Sequence, residues 1–148
     1  MKTHRLKSNA IGFLLVVVLV ASLASGCGRK TEAGGEQAAT AAAQTWLTGI
    51  DDDDYAQSWR NASAFFQGAV TEEKWEAALE AVRKPLGDLE SRKLQSAKMF
   101  TKLPDAPDGR YVVMQFETSF ANKKSAIETV TFRLEKDGQW KSAGYYIK

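Results

Sequence analysis

Hydrophobic periodicity changes once along this chain, at Pro85-Leu-Gly87. Before that point apolar residues recur at helical spacing, and after it they alternate. The two periods are not interchangeable, because side chains spaced for one helix face would scatter over both faces of a strand. From Glu36 to Ile50, Ala39, Ala43, Trp46, Leu47 and Ile50 share one helical face, and the alanine content favours helix. Tyr55, Trp59, Ala62 and Phe66 follow at i, i+4, i+7 and i+11, which predicts a second helix with an aromatic stripe. Thr71-Glu-Glu73 opens a third, with an N-cap hydroxyl and acids in the first turn. Its apolar face is Trp75, Ala78, Leu79 and Val82, and Pro85 and Gly87 end it.

Beyond Gly87, residues 89–103 read as a long strand and residues 103–109, Leu-Pro-Asp-Ala-Pro-Asp-Gly, as a turn-rich loop. Arg110 to Phe120 alternates, with Val112, Met114, Phe116 and Phe120 on one face. A hairpin through residues 121–125 returns as residues 126–134, and Val130, Phe132 and Leu134 can then sit opposite Phe116, Met114 and Val112. Asp137-Gly138 marks a second hairpin. Trp140 faces inward beside Leu134 or outward beside Glu135 according to the length of that turn, and burial of the indole favours the inward form. The expected fold is α+β: three N-terminal helices packed on a curved antiparallel sheet of about four strands.

The N-terminus carries a different kind of signal. Met1-Lys-Thr-His-Arg-Leu-Lys7 is positive, an apolar run follows from about Ala10 to Leu23, and small residues precede Cys27. That is the three-part pattern of a secretory signal, and the run falls short of the roughly 20 residues a spanning helix needs. Leu23-Ala-Ser-Gly-Cys27 resembles the bacterial lipoprotein signal, with leucine four places before the cysteine and Ala24 at the position three before it. The resemblance implies cleavage after residue 26, acylation of Cys27 and a membrane anchor through that lipid. Gly28, where an aspartate would retain the protein at the inner membrane, implies sorting to the outer membrane facing the periplasm. Residues 27–35, small and polar, read as a flexible tether, and residues 36–148 as one domain. Without residues 1–26 the chain has 17 basic and 18 acidic residues, so the formal charge of +2 becomes −1 and no footprint for nucleic acid remains.

The order of helices then sheet resembles the nuclear-transport-factor-2-like cone. Ala-Gln-Thr-Trp-Leu, Tyr-Ala-Gln-Ser-Trp, Val-Arg-Lys-Pro-Leu-Gly, Asp-Gly-Arg-Tyr-Val-Val and the terminal Ala-Gly-Tyr-Tyr-Ile together resemble an uncharacterised bacterial domain-of-unknown-function family. The likeness spans roughly Gln37 to Lys148. It implies a fold and an envelope compartment, and no activity.

Several chemistries are excluded. His4 is the only histidine and Cys27 the only cysteine, so the expected mature chain has no histidine and no free thiol for triad or zinc chemistry. No cofactor motif or metal site is expected. Asp51-Asp-Asp-Asp54 lacks the alternating ligands and central glycine of a calcium loop and reads as the start of the second helix, with Asp51 or Asp52 as its cap. Glu128 is the carboxylate that demands a partner, since it shares a strand face with Val130 and Phe132. It reads as a pocket acid beside Tyr145, or as the ion-pair partner of Arg83 or Arg92. Those two arginines are ligand-binding candidates for an anion, or serve as caps at a helix end.

The expectation is a lipid-anchored, non-enzymatic module of the cell envelope that binds a small ligand or an envelope protein. The alternatives are an isomerase- or hydratase-like enzyme with Glu128 as general base and a tyrosine donor, and a structural module that forms a homodimer through the sheet face.

Overall fold

The computed structural model describes residues 27–148. The signal expected over residues 1–26 lies outside the described residues, as does the Cys27 side chain, the expected lipid attachment point. The architecture is α+β: four α-helices followed by a four-stranded antiparallel sheet that does not close. The helices are α1 (Cys27–Asp51), α2 (Tyr55–Arg60), α3 (Ala64–Ala69) and α4 (Glu72–Arg83), with a 3-10 turn at Lys84–Leu86. The strands β1 (Leu89–Phe100), β2 (Tyr111–Phe120), β3 (Lys123–Leu134) and β4 (Trp140–Ile147) form a simple meander in chain order. No helix of the described residues is long and apolar enough to cross a membrane.

The change of period at Gly87 marks the boundary between helices and sheet, with Gly87 itself at φ 73 where a side chain would be strained. The helical half departs from expectation in two places. The aromatic stripe from Tyr55 to Phe66 spans two helices, because α2 ends at Arg60 and Ser63, extended at φ −64, ψ 152, starts α3 with its hydroxyl accepting from the Phe66 amide. The Ser63 amide meanwhile donates to the Ser142 carbonyl of β4, which pins the break to the sheet. Tyr55, Ala62 and Phe66 are still buried, since the interruption preserves the phase of the stripe. At the N-terminus, α1 is helical from Cys27, where a flexible tether was expected. Gly35 lies so close to β1 that a Cβ there would meet the Met99 methyl at 2.5 Å, and the Glu36 carboxylate accepts from the Met99 amide.

In the sheet, Met114 pairs with Val130 and Val112 with Phe132, two residues out of the expected register. The turn is the two residues Ala121-Asn122, with Phe120 paired to Lys123 and a bulge between Thr118 and Phe120. A shift of two preserves the face of every side chain, so the apolar set still meets the helices, and Glu128 now lies opposite Phe116. At the second hairpin Gly138 adopts φ 81, Glu135 and Gln139 close a three-residue loop, and Trp140 pairs with Leu134 and packs against the core, as expected.

The core joins α1 (Trp46, Leu47, Ile50) and α4 (Trp75, Leu79) to Val112, Met114, Phe116, Val130 and Phe132 of the sheet. Trp46 lies edge-on to Phe132 and Tyr145, and Phe66 edge-on to Trp75 at 4.9 Å. The inward face of α4 is Trp75, Leu79 and Arg83, so Ala78 and Val82 face out instead, Val82 with 45% of its surface exposed. A helix that turns arginine inward in preference to valine must offer that cation strong partners.

Candidate functional site

Those partners are carboxylates. The four aspartates of residues 51–54 divide between two tasks. Asp53 takes the left-handed conformation (φ 59) and donates its amide to the Ile50 carbonyl, while the Asp54 amide reaches Gly49, so the run closes the C-terminus of α1. Asp54 then caps α2 by accepting from the Gln57 amide, which corrects the expectation that Asp51 or Asp52 would do so. Asp53 accepts from the Tyr55 hydroxyl and Asp52 is exposed. Asp51 ends the buried row Ala43-Leu47 of α1 and points its carboxylate toward the arginines.

All four ligand-binding candidates, Arg83, Arg92, Glu128 and Tyr145, meet at this place. Arg92 forks between two acids: its Nη1 and Nη2 donate to Asp51 at 2.6 and 2.9 Å, and its Nε and Nη2 to Glu128 at 2.5 and 3.1 Å. Arg83 donates to Asp51 at 2.7 Å and more weakly to Glu128 at 3.5 Å, with its guanidinium 4.7 Å from the centre of the Phe120 ring. Thr118 and the Tyr145 hydroxyl complete the set by donating to Glu128. Glu128 thus accepts from five donors with no solvent-exposed surface, and its two oxygens are both occupied. Two acids and two bases make the quartet formally neutral. The arginines are ion-pair partners of Glu128, and neither acts as a simple helix cap.

Asp51 and Thr118 were the members not singled out for this role. The signal for both was facial: Asp51 lies four residues beyond Leu47 on the buried row of α1, and Thr118 lies between Phe116 and Phe120 on the inward face of β2. A polar group on such a face requires a partner.

Burial raises the Tyr145 pKa far above the ordinary tyrosine value, and the adjacent Glu128 charge raises it further. The Tyr55 hydroxyl is pushed up to about 12 by burial and by its bond to Asp53. For Arg92, burial works against the cation, but the hydrogen bonds and charges of Asp51 and Glu128 outweigh it and the pKa rises. Among the described residues no group of three His, Cys, Asp or Glu side chains stands together to hold a metal ion.

Outside the quartet, a cleft of about 310 Å3 opens between α1, α2 and the sheet. Trp46, Trp140 and Phe132 supply its apolar wall, and Thr45, Asp54, Gln57 and Asn61 its polar groups. The Trp46 indole nitrogen is committed to the Ser58 carbonyl, so this ring is a fixed wall.

A family model described as "Protein of unknown function (DUF4019)" matches residues 42–145. The chain belongs to this family. The match takes in every member of the quartet and the whole lining of the Trp46–Trp140 cleft. A search of curated proteins finds no match to the chain.

The quartet predicts an uneven response to mutation along the aspartate run. Glu128→Gln or Asp51→Asn leaves buried positive charge uncompensated and is expected to cost about 3–5 kcal/mol in urea unfolding. Asp52→Asn, at an exposed position, is expected to stay within about 0.5 kcal/mol. The tyrosines set a separate alkaline limit. Both native pKa values lie above the unfolded value of 10.0, so their contribution is complete below pH 10 and is lost as pH rises through the native values. Unfolding free energy should therefore fall above about pH 10. At pH 11 unfolding should raise the absorbance at 295 nm, as Tyr55 and Tyr145, largely protonated in the folded chain, ionise, and Tyr145→Phe should reduce that rise.

Proposed function

We propose that this protein is a lipid-anchored, non-enzymatic binding module of the bacterial envelope, held to the periplasmic side of the outer membrane through Cys27. The observation that carries the non-enzymatic part is the state of Glu128. A general base needs an oxygen within reach of a substrate proton, and both Glu128 oxygens are taken by donors while the side chain itself has no exposed surface. Freeing that carboxylate for an isomerase or hydratase would leave Arg83 and Arg92 with Asp51 as the one acid between them. The helices over one face of an open sheet favour a cone of the nuclear-transport-factor-2-like kind whose interior is filled by this network.

Binding then falls to the outer clefts. The Trp46–Trp140 cleft has the size and character of a small-ligand site, with apolar walls and a few polar groups from α1 and α2. The anchor is supported by the sequence from Lys2 to Cys27. A dimer through the sheet face has less support, since the exposed large apolar residues are divided, Leu94 and Phe100 on β1 and Tyr146 in a small cleft with Val82 of α4.

Two measurements test the reading. The wild-type chain should partition with detergent from bacterial membranes and Cys27→Ser should not; equal partitioning would remove the anchor. A small-ligand panel should give saturable changes in tryptophan fluorescence that Trp140→Ala reduces, without turnover. Steady turnover by the wild-type chain, lost in a folded Tyr145→Phe variant, would overturn the non-enzymatic assignment.

A further inference from the structure

A second cleft, of about 540 Å3, lies where α2 and α3 face the β3–β4 hairpin. Its lining includes Arg60, Arg133, Lys136 and Lys141, with Glu135 and Asp137 as the acids, four basic groups against two. Arg60 is paired to Glu72 and Lys141 to Asp137, but Arg133 and Lys136 form no ion pair among the described residues.

Arg133 is held in place without being satisfied. Its guanidinium lies 5.7 Å from the centre of the Tyr111 ring, and a Cβ on Gly109 would stand 3.3 Å from its Nε. The ring and the bare glycine backbone therefore restrict the fork. The Arg133 Nε is shielded from solvent and has no acceptor. On the same strand end, Glu135 Oε1 is shielded and has no donor. Arg133 and Glu135 both line the cleft, and a ligand that brings an anion for the guanidinium and a donor for the carboxylate would give each residue a partner.

We infer that this cleft binds a phosphate ester whose alcohol carries a hydroxyl or amine. Arg133 takes the phosphate with Lys136 and Lys141, and Glu135 accepts from the hydroxyl or ammonium group. Phosphate is favoured over carboxylate because its tetrahedral oxygens can meet cations arriving from different directions, while a carboxylate offers two oxygens in one plane. The net positive lining favours the more highly charged anion. The source is either a soluble ester or a phospholipid headgroup. The cleft shares the end of the sheet with the start of α1, where Gly35 packs near Trp140, so a headgroup is within the geometry of a chain tethered at Cys27. The inference rests on the binding-module reading for its purpose but stands without the anchor, which the Cys27→Ser fractionation tests separately.

The test uses the full chain in mild detergent, titrated by calorimetry with glycerol 3-phosphate and with acetate, and by flotation with vesicles of phosphatidylglycerol or phosphatidylcholine. Saturable binding of glycerol 3-phosphate stronger than acetate is expected. Arg133→Met, which keeps an apolar stem against Tyr111, should weaken it about tenfold or more, consistent with loss of a charged hydrogen bond. Lys136→Gln, at an exposed position, should weaken it with the fold intact, and Glu135→Gln should weaken glycerol 3-phosphate more than inorganic phosphate. Arg133-dependent preference for phosphatidylglycerol over phosphatidylcholine, whose choline lacks a donor, identifies a headgroup; binding of glycerol 3-phosphate without that preference identifies a soluble ester. Acetate bound as tightly as glycerol 3-phosphate, binding unaffected by both Arg133→Met and Lys136→Gln, or no saturable binding to either ester or vesicle would overturn the inference.

Discussion

Two acids and two arginines share one buried, neutral knot, and each belongs to a different element. Asp51 ends α1, Arg83 ends α4, Arg92 lies on β1 and Glu128 on β3, while Thr118 of β2 and Tyr145 of β4 bind the same Glu128. Every strand and the two longest helices therefore meet at one point. Desolvating four charges consumes much of what their attraction returns, so the knot adds little stability over an apolar filling of the same shape. What it adds is geometry, because a guanidinium that forks between two carboxylates admits few arrangements of the chains that carry them.

The aromatic core adjoins the knot through Tyr145. Its ring packs edge-on against Trp46 and Trp75, and its hydroxyl binds Glu128. Ser58 plays a comparable part among the helices, since its carbonyl accepts from Trp46 and its hydroxyl from Trp75. The large rings are thus placed by polar bonds as well as by contact, which leaves their faces in fixed positions.

The features legible in the sequence were those carried by local chemistry. The period change at Gly87, the Thr71 cap, the alternation of β2 and β3 and the bulged turn at Gly138 are each decided within a few residues. The split of the second helix escaped because Tyr55, Trp59, Ala62 and Phe66 keep helical phase across the break, and the bond from the Ser63 amide to Ser142 that fixes it joins residues 79 apart in the chain. The two-residue register shift escaped for a related reason: any even shift keeps the apolar face inward, so alternation alone leaves it undetermined. Asp51 escaped because an aspartate run before a helix has an adequate local explanation in capping, and only the buried row from Ala43 through Leu47 indicated a longer-range role. Glu128, by contrast, had no local explanation, and its partners were among the basic residues already considered.

The two ends of the molecule therefore offer different things. At the end where α1 terminates, charges are closed on one another: Asp51, Arg83, Arg92 and Glu128 leave each other satisfied, and a solute arriving there would have to compete with bonds already made. Toward the start of α1, beside the β3–β4 hairpin, the chemistry is incomplete: Arg133 and Lys136 line a cleft there and form no ion pair among the described residues. Residues 36–51 of α1 separate these ends by about 22 Å at the helical rise per residue. The N-terminal anchor proposed above would hold the hairpin end nearer the point of attachment than the closed knot. That polarity follows from where the paired and unpaired charges lie, and it makes the hairpin end the place where a ligand has most to gain.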